Sequence, residues 1–385
     1  MPSRSPATIL SNARLVLADR VVHGSVVLRD GLIEAVDEGP SAALGTLDCA
    51  GDYLVPGLVE LHTDHLENHY APRPGVRWNP IAAIQAHDAQ VAASGITTVF
   101  DALRVGGDAD ATTIGNDTRT LAAALDVARA EGRLRIDHFL HLRCEVPAED
   151  VVADAEPLIA TGRVRLASLM DHTPGQRQFV SLAEYRKYYQ AKAGFSDAEM
   201  DAYVAERQEI GRIRSAANRP LVAAMGRAAG LVLASHDDAT PEHVAEAVGD
   251  GATIAEFPTT LEAAHAARAG GLKILMGAPN VVRGGSHSGN VSAVELAETG
   301  LLDILSSDYV PFSLMQAAFL LPERIPAMPL ERAIALVTRG PAAAVGLDDR
   351  GEIAPGRRAD LVRVVHRPGS VPVVRSVWSG GERVG

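Results

Sequence analysis

Tyr53-Leu54-Val55-Pro56-Gly57-Leu58-Val59-Glu60-Leu61-His62-Thr63-Asp64 is an apolar run that ends in two side chains able to bind a metal, His62 and Asp64. In a β-strand, residues two apart point to the same face. The reading therefore has His62 and Asp64 converging on one point at the C-terminal end of a strand. An imidazole and a carboxylate converging there suit an ion of the zinc, iron or manganese type. Alone, a His-x-Asp reads as well as a surface turn. Its weight comes from similar strand ends further along the chain.

Working outward, apolar runs alternate with helical patterns from residue 53 to about 345. Asn79-Pro80 gives an N-cap followed by proline at the first helical position, and this helix runs to Ser94 and stops at Gly95. The second strand is Ile96–Asp101, the third Ile136–Glu145, the fourth Val164–His172 and the fifth Leu231–His236. Thr240-Pro241-Glu242 caps the next helix in the same way. Thr253–Phe257, Lys273–Gly277 and Leu302–Asp308 complete a set of eight. Eight strands with helices between them predict an α/β fold, a parallel (β/α)8 TIM barrel over residues 55–345.

The two ends of the chain differ from this middle. Residues 1–54 are strand-like, with Arg29-Asp30-Gly31 as a hairpin turn, since Asp-Gly supplies the positive φ that tight hairpins need. Residues 346–385 hold two more strand-like runs, Asp360–Val365 and Val373–Trp378. The expectation is one small β-sandwich domain built from both ends, with the barrel inserted between them. Residues 181–219 are too long for a simple loop after the fourth strand. They carry two capping-box patterns, Ser181 with Glu184 and Ser196 with Glu199, which predict two helices serving as a lid, a dimer contact or a solvated hairpin.

Bulk properties narrow the function classes. The 385 residues suit one barrel plus a small appendage, and 47% apolar content supports a large core. A formal charge of −12 argues against a nucleic-acid or acidic-membrane surface, so an anionic substrate would need a local basic cluster. Two cysteines, Cys49 and Cys144, fit a reducing compartment and give no disulfide framework. The start has no apolar signal-peptide core, and no apolar run approaches the ~18 residues of a membrane span. The expected location is the cytoplasm.

In parallel barrels, functional groups collect at the C-terminal strand ends. Here those ends read His62 and Asp64, then Glu145, His172, His236 and Asp308. Any one has a plain explanation: a strand-end histidine that bonds a loop, or an aspartate that caps a helix. Jointly, three imidazoles and three carboxylates can hold two divalent ions with one carboxylate bridging, an arrangement that can share a hydroxide and clamp both ends of a displacement. Zinc is the first candidate, with manganese or iron as alternatives. His23, His87 and His265 are read as structural, while His69 and His287 lie in loops near the site.

The barrel flanked by a split β-domain, the opening Val55–His62 and the closing Gly351–Leu361 resemble the amidohydrolase superfamily over nearly the whole chain. That superfamily usually opens with His-x-His, whereas this chain has His62-Thr63-Asp64. The motifs His62–His69, Pro72–Trp78, Asp171–Gln178, Ser235–Asp238 and Ser307–Pro311 resemble one branch, the diphosphatases of the carbon–phosphorus lyase pathway. The resemblance implies hydrolysis of α-D-ribose 1-methylphosphonate 5-triphosphate to the 5-phosphate and pyrophosphate in phosphonate catabolism. It also implies roles. His62 and Asp64 would bind one ion and His172 and His236 the other, with Glu145 bridging. Asp308 would touch the first ion and take the proton from the attacking water.

A triphosphate carries about four negative charges, so cations must gather at the barrel mouth. The candidates are Arg73, Arg77, Arg104, Gln176 and Arg177, then Asn280, Arg283 and His287 in the glycine-rich loop after the seventh strand. The alternatives are hydrolysis of a cyclic amide C–N bond by the same ions, which would call for fewer arginines, and a non-catalytic scaffold barrel. The expected partners are a small phosphorylated substrate and a second copy of the chain in a homodimer.

Overall fold

The structure, a computed structural model, describes residues 6–107, 117–177, 182, 185–186, 190, 195–286 and 289–385. The N-terminal part forms β1 (Thr8–Val16), β2 (Val21–Arg29), β3 (Leu32–Glu38), the short β4 (Leu47–Asp48) and β5 (Tyr53–Pro56). Asp30 and Gly31 both adopt positive φ, 50° and 79°, and turn β2 back onto β3 as the Asp-Gly pair predicts. Eight further strands follow: β6 (Leu58–Thr63), β7 (Ile96–Val105), β8 (Asp137–Glu145), β9 (Val164–Met170), β10 (Val232–His236), β11 (Ile254–Glu256), β12 (Lys273–Gly277) and β13 (Ile304–Ser306). The C-terminal strands are β14 (Leu361–Val365), β15 (Val373–Ser379) and β16 (Glu382–Arg383).

β6 to β13 pair in parallel, in chain order. Their residues are buried almost throughout because helices cover the outside and side chains fill the inside, the condition that parallel sheets require. The ring closes through a parallel bridge between Thr63 and Asp308. Glu60 reinforces that seam. Its fully buried carboxylate accepts from the backbone N–H of His62 at 2.6 Å, the Ser306 hydroxyl at 2.7 Å and the Ser307 N–H at 2.5 Å. Burial pushes this carboxyl above its ordinary range, and the surrounding hydrogen-bond donors of Ser307, Ser306 and His62 oppose that push. Phe100, Leu61, Leu166, Leu275 and Ile304 pack inside, while a larger aliphatic cluster fills the layer between strands and helices.

The terminal strands join one mixed sheet in the order β16-β15-β14-β5-β1-β2-β3, with β4 also on β1. It is one hydrogen-bonded path and not two separate sheets, because β5 pairs with N-terminal β1 on one side and C-terminal β14 on the other. Only Gly57 separates β5 from the barrel strand β6. A Cβ there would stand 2.2 Å from Thr97 Oγ1 and 2.9 Å from Asp360 Cβ, so the crossing between the sheets requires glycine.

The helices that position the site are α1 (His65–Tyr70), α2 (Pro80–Ala93), α3 (Thr118–Ala130), α4 (Val151–Ala160) and α5 (Asp197–Ala228). After them come α6 (Pro241–Asp250), α7 (Leu261–Ala269) and α8 (Ala278–Arg283). Asn79 caps α2 through the Ala82 N–H at 3.0 Å, and Thr240 caps α6 through the His243 N–H at 3.3 Å. Ser196 and Glu199 form the capping box of α5. That helix does not end before Pro220. It carries the proline inside and runs on to Ala228, so the second insertion helix is also the helix that leads into β10. Ser181 and Glu184 lie outside the described residues. Among the described residues, no helix is long and apolar enough to cross a membrane.

Candidate metal centre

One cavity of about 170 Å³ opens at the C-terminal ends of the barrel strands, with His62, His172, His236, Asp237 and Asp308 in its wall. Each comes from a strand end or the residues just after one. His62 is buried at the end of β6, and its backbone is fixed by Glu60. Asp308 follows β13 with φ 56°, a left-handed backbone that turns its side chain back over the barrel mouth. Its backbone carbonyl accepts from Thr63 Oγ1 at 2.7 Å. Burial first, and the Asp64 charge second, raise the Asp308 carboxyl to about 6.

Two buried carboxylates stand behind the imidazoles. Glu145 ends β8 and accepts from His172 twice, from its N–H at 3.0 Å and from Nδ1 at 2.6 Å. Burial works to raise Glu145, but the His172 charge and hydrogen bonds, with Arg104, outweigh it and hold the carboxyl at about 2. Glu256 ends β11, where its register partner is His236. It accepts from His236 Nδ1 at 3.1 Å through Oε2, while its Oε1 faces His62 Nδ1 at 3.1 Å without the alignment of a hydrogen bond. The His62 and His141 charges hold Glu256 well below the carboxylate range despite complete burial. With Nδ1 of His172 and His236 given to carboxylates, Nε2 of each turns toward Asp237, 3.9 and 3.4 Å from Oδ2. A carboxylate on one ring nitrogen and an open lone pair on the other is the pattern of metal-binding histidines.

The donor set fits a divalent cation. His62 Nδ1, Glu256 Oε1 and Asp237 Oδ2 are buried polar atoms that make no hydrogen bond. His172, His236 and Asp237 bring their donor atoms within 4.8 Å of one another, and so do His62, His141 and Glu256. Imidazole and carboxylate donors together suit zinc, iron or manganese.

Several of the residues singled out in the sequence stand elsewhere. Asp64 does not continue the face of His62, because β6 ends at Thr63 and Asp64 begins the turn into α1. Its carboxylate faces Arg143 Nη1 at 3.3 Å. Glu145 is absent from the cavity wall, since its oxygens serve His172 from behind. Arg177 is 2% exposed and tied to buried Asp238 and to the more exposed Glu246, so its guanidinium neutralises acids away from the cavity. Arg77 pairs with Asp117 at 2.5 Å. Arg73 and Gln176 are exposed, and neither lines the cavity. Arg104 is half-buried and acts on Glu145 and His172 through its charge. Asn280 and Arg283 do line the cavity. His287 lies outside the described residues.

Three contributors escaped the sequence reading. Asp237 and Glu256 join the donors, and Arg143 adds a guanidinium to the cavity wall, its Nε buried without a hydrogen-bond partner. A charged residue ending the apolar run Ile254-Ala255-Glu256, next to the strand that ends in His236, was the available signal for one of them.

The comparisons with known proteins agree with this architecture. An amidohydrolase family model matches residues 82–384. The alpha-D-ribose 1-methylphosphonate 5-triphosphate diphosphatase of Escherichia coli (strain K12) is 47% identical over 377 residues, covering 98% of this chain and 100% of that protein. The solved N-acetyl-D-glucosamine-6-phosphate deacetylase of Mycobacterium smegmatis superposes with a TM-score of 0.65 at 17% identity, over 98% of this chain and 100% of that one. The N-isopropylammelide isopropylaminohydrolase of Burkholderia multivorans gives 0.64 at 17% identity, over 98% of each chain. At such identities these two structures show the fold alone. By its family match and by its identity to a full-length relative, the chain belongs to the amidohydrolase family.

Proposed function

We propose that the chain is a diphosphatase that hydrolyses α-D-ribose 1-methylphosphonate 5-triphosphate to the 5-phosphate and pyrophosphate, as a step in phosphonate catabolism. The observation that carries the reaction class is the single cavity wall shared by Asp308, three imidazoles and two guanidinium groups, Arg143 and Arg283. The two cations favour a polyphosphate over a cyclic amide, which needs fewer. The 47% identity to the Escherichia coli diphosphatase supports this substrate.

His62, His172, His236 and Asp237 would hold two divalent ions, zinc before manganese or iron, with Glu145 and Glu256 orienting the imidazoles. The bound ions supply a water of lowered pKa and neutralise phosphate charge. Asp308, raised to about 6, takes the proton from the attacking water. Water oxygen bonds to the phosphorus next to the ribose, the anhydride P–O bond breaks, and pyrophosphate leaves with the electron pair. Arg283 and Asn280 orient the distal phosphates at the outer wall, and Arg143 offers charge from the inner wall.

The test is product analysis. The metal-loaded enzyme should release pyrophosphate, not orthophosphate, from the ribose triphosphate. Asp308→Asn with its full metal complement should lose ~10²–10⁴ in kcat. Release of orthophosphate alone, or near wild-type turnover in a metallated Asp308→Asn enzyme, would exclude the reading.

A further inference from the structure

We propose that a hollow at the N-terminal pole of the barrel, lined by Arg129, Arg163 and Arg165, is a second anion site that takes a phosphate group, free or as a phosphomonoester. The hollow measures about 450 Å³ and opens where α3 and α4 end and β8 and β9 begin. β8 spans nine residues from Asp137, in this lining, to Glu145 behind the metal centre, roughly 26 Å at ~3.3 Å per step. The hollow is therefore remote from Asp308 and the imidazoles, and it shares no lining residue with their cavity.

Its guanidinium groups outnumber their acids. Arg129 Nη1 and Arg163 Nε meet on one oxygen, Asp126 Oδ1, at 3.3 and 3.0 Å. Arg129 also donates from Nη2 to the His138 carbonyl, which fixes it in the wall. Among the described residues, the terminal nitrogens of Arg163 have no partner and Arg165 has no ion pair. The Arg165 guanidinium lies 5.6 Å from the centroid of the Phe139 ring, which packs on Phe100 at 5.1 Å. Stacking on a ring leaves the N–H groups of a guanidinium free to donate. Asp137, the acid in the lining, gives Oδ2 to Arg350 at 2.7 Å and to Arg358 at 2.5 Å. Three guanidinium groups thus face one shared Asp126 carboxylate, and the forks of Arg163 and Arg165 match the oxygens of a phosphate.

The backbone leaves room for that group. Gly132 and Gly162 line the hollow with φ 64° and 69°, and a Cβ at either position would meet open space, so no side chain narrows the entrance there. Helix C-termini carry partial negative charge. Here their carbonyls are already engaged. The N–H groups of Glu131, Gly132 and Arg133 donate to Val127, Arg129 and Ala128 at the end of α3, and those of Thr161 and Gly162 donate to Leu158 and Ile159 at the end of α4. Leu134 and Ile136 add an apolar wall that can receive the carbon part of a phosphomonoester.

The site stands apart from the proposed reaction, and the test separates the two. Zinc-loaded wild type, an Arg163→Ala/Arg165→Ala double variant and an Arg163→Lys/Arg165→Lys double variant are titrated by calorimetry, with inorganic phosphate in one arm and ribose 5-phosphate in the other. Anion held at the metal centre contributes equally in all three proteins. Wild type should show one further equivalent, weakened at least ~10-fold in the alanine variant and partly regained with lysine. A further equivalent in the phosphate arm alone makes free phosphate the ligand, and one in the ribose arm makes it a phosphomonoester. Equal stoichiometry and affinity for all three proteins in both arms would overturn the proposal. An anomalous map of wild-type crystals soaked in arsenate, a phosphate isostere, decides the matter without any variant: a peak between Arg163 and Arg165 is expected, and its absence refutes the site.

Discussion

Arg177→Ala should damage stability and leave substrate affinity almost alone. Sequence reading places Arg177 in the loop after the fourth strand and assigns it to phosphate. The folded chain instead buries it between Asp238, 1% exposed, and Glu246, whose Oε2 lies at 2.5 Å. Removing one partner of a buried pair strands the other charge and costs about 3–5 kcal/mol. Glu246 is half-exposed and has Arg219 at 3.3 Å as a second partner, so the cost comes from Asp238. Unfolding entropy of about 2.1 cal/mol/K per residue gives roughly 0.8 kcal/mol/K for 385 residues. The melting temperature should therefore fall by about 4–6 °C. Thermal unfolding followed by circular dichroism measures this, and KM for the ribose triphosphate is measured on the same samples. Arg177→Met with Asp238→Leu should recover most of the loss, because an apolar pair replaces the ionic one. A variant that melts within about 1 °C of wild type while KM rises ten-fold would refute the argument and return Arg177 to the substrate.

Arg283→Ala should raise KM at least ~10-fold with little change in melting, since its guanidinium lies exposed on the cavity wall, and an unchanged KM removes it from the clamp. Glu256→Gln should weaken zinc affinity by ~10–100-fold in a chelator competition, because it takes the orienting carboxylate from His236 and His62. Stability should also fall at alkaline pH. His138 is raised from 6.5 to about 9 by Asp101 and Asp88 against its burial, so its contribution is whole below pH 6.5 and lost as pH rises through 9. The loss is at most about 3.5 kcal/mol, seen as a falling urea midpoint between pH 6.5 and 9.5 that His138→Gln flattens.

Much of the architecture is legible because its signals are local. Asn79-Pro80 and Thr240-Pro241 cap the helices they announce, and Asp30-Gly31 makes its hairpin. His62, His172, His236 and Asp308 meet at one cavity because parallel strands bring their ends together. What stayed hidden depends on where a side chain points after its strand stops. Asp64 fails the two-residue rule because β6 ends one residue earlier. Arg177 and Arg143 are both arginines beside strand ends, yet one neutralises Asp238 in the interior and the other faces the cavity. Burial separates them, and no short pattern encodes it. Glu256 reads as the end of a brief apolar run until register sets it beside His236.

The single residue between β5 and β6 bears on when this protein can become whole. β5 finds one of its neighbours, β14, some 300 residues later, with Val55 opposite Val362 and Pro56 opposite Leu361. On the ribosome, β5, one residue ahead of the strand that bears His62, therefore emerges early but lacks β14 on its flank until residues 361–365 are released. A chain cut short before residue 361 would contain every candidate metal donor and still leave β5 with an open edge. Translation thus puts the edge of the terminal sheet next to Gly57 among the last features to set.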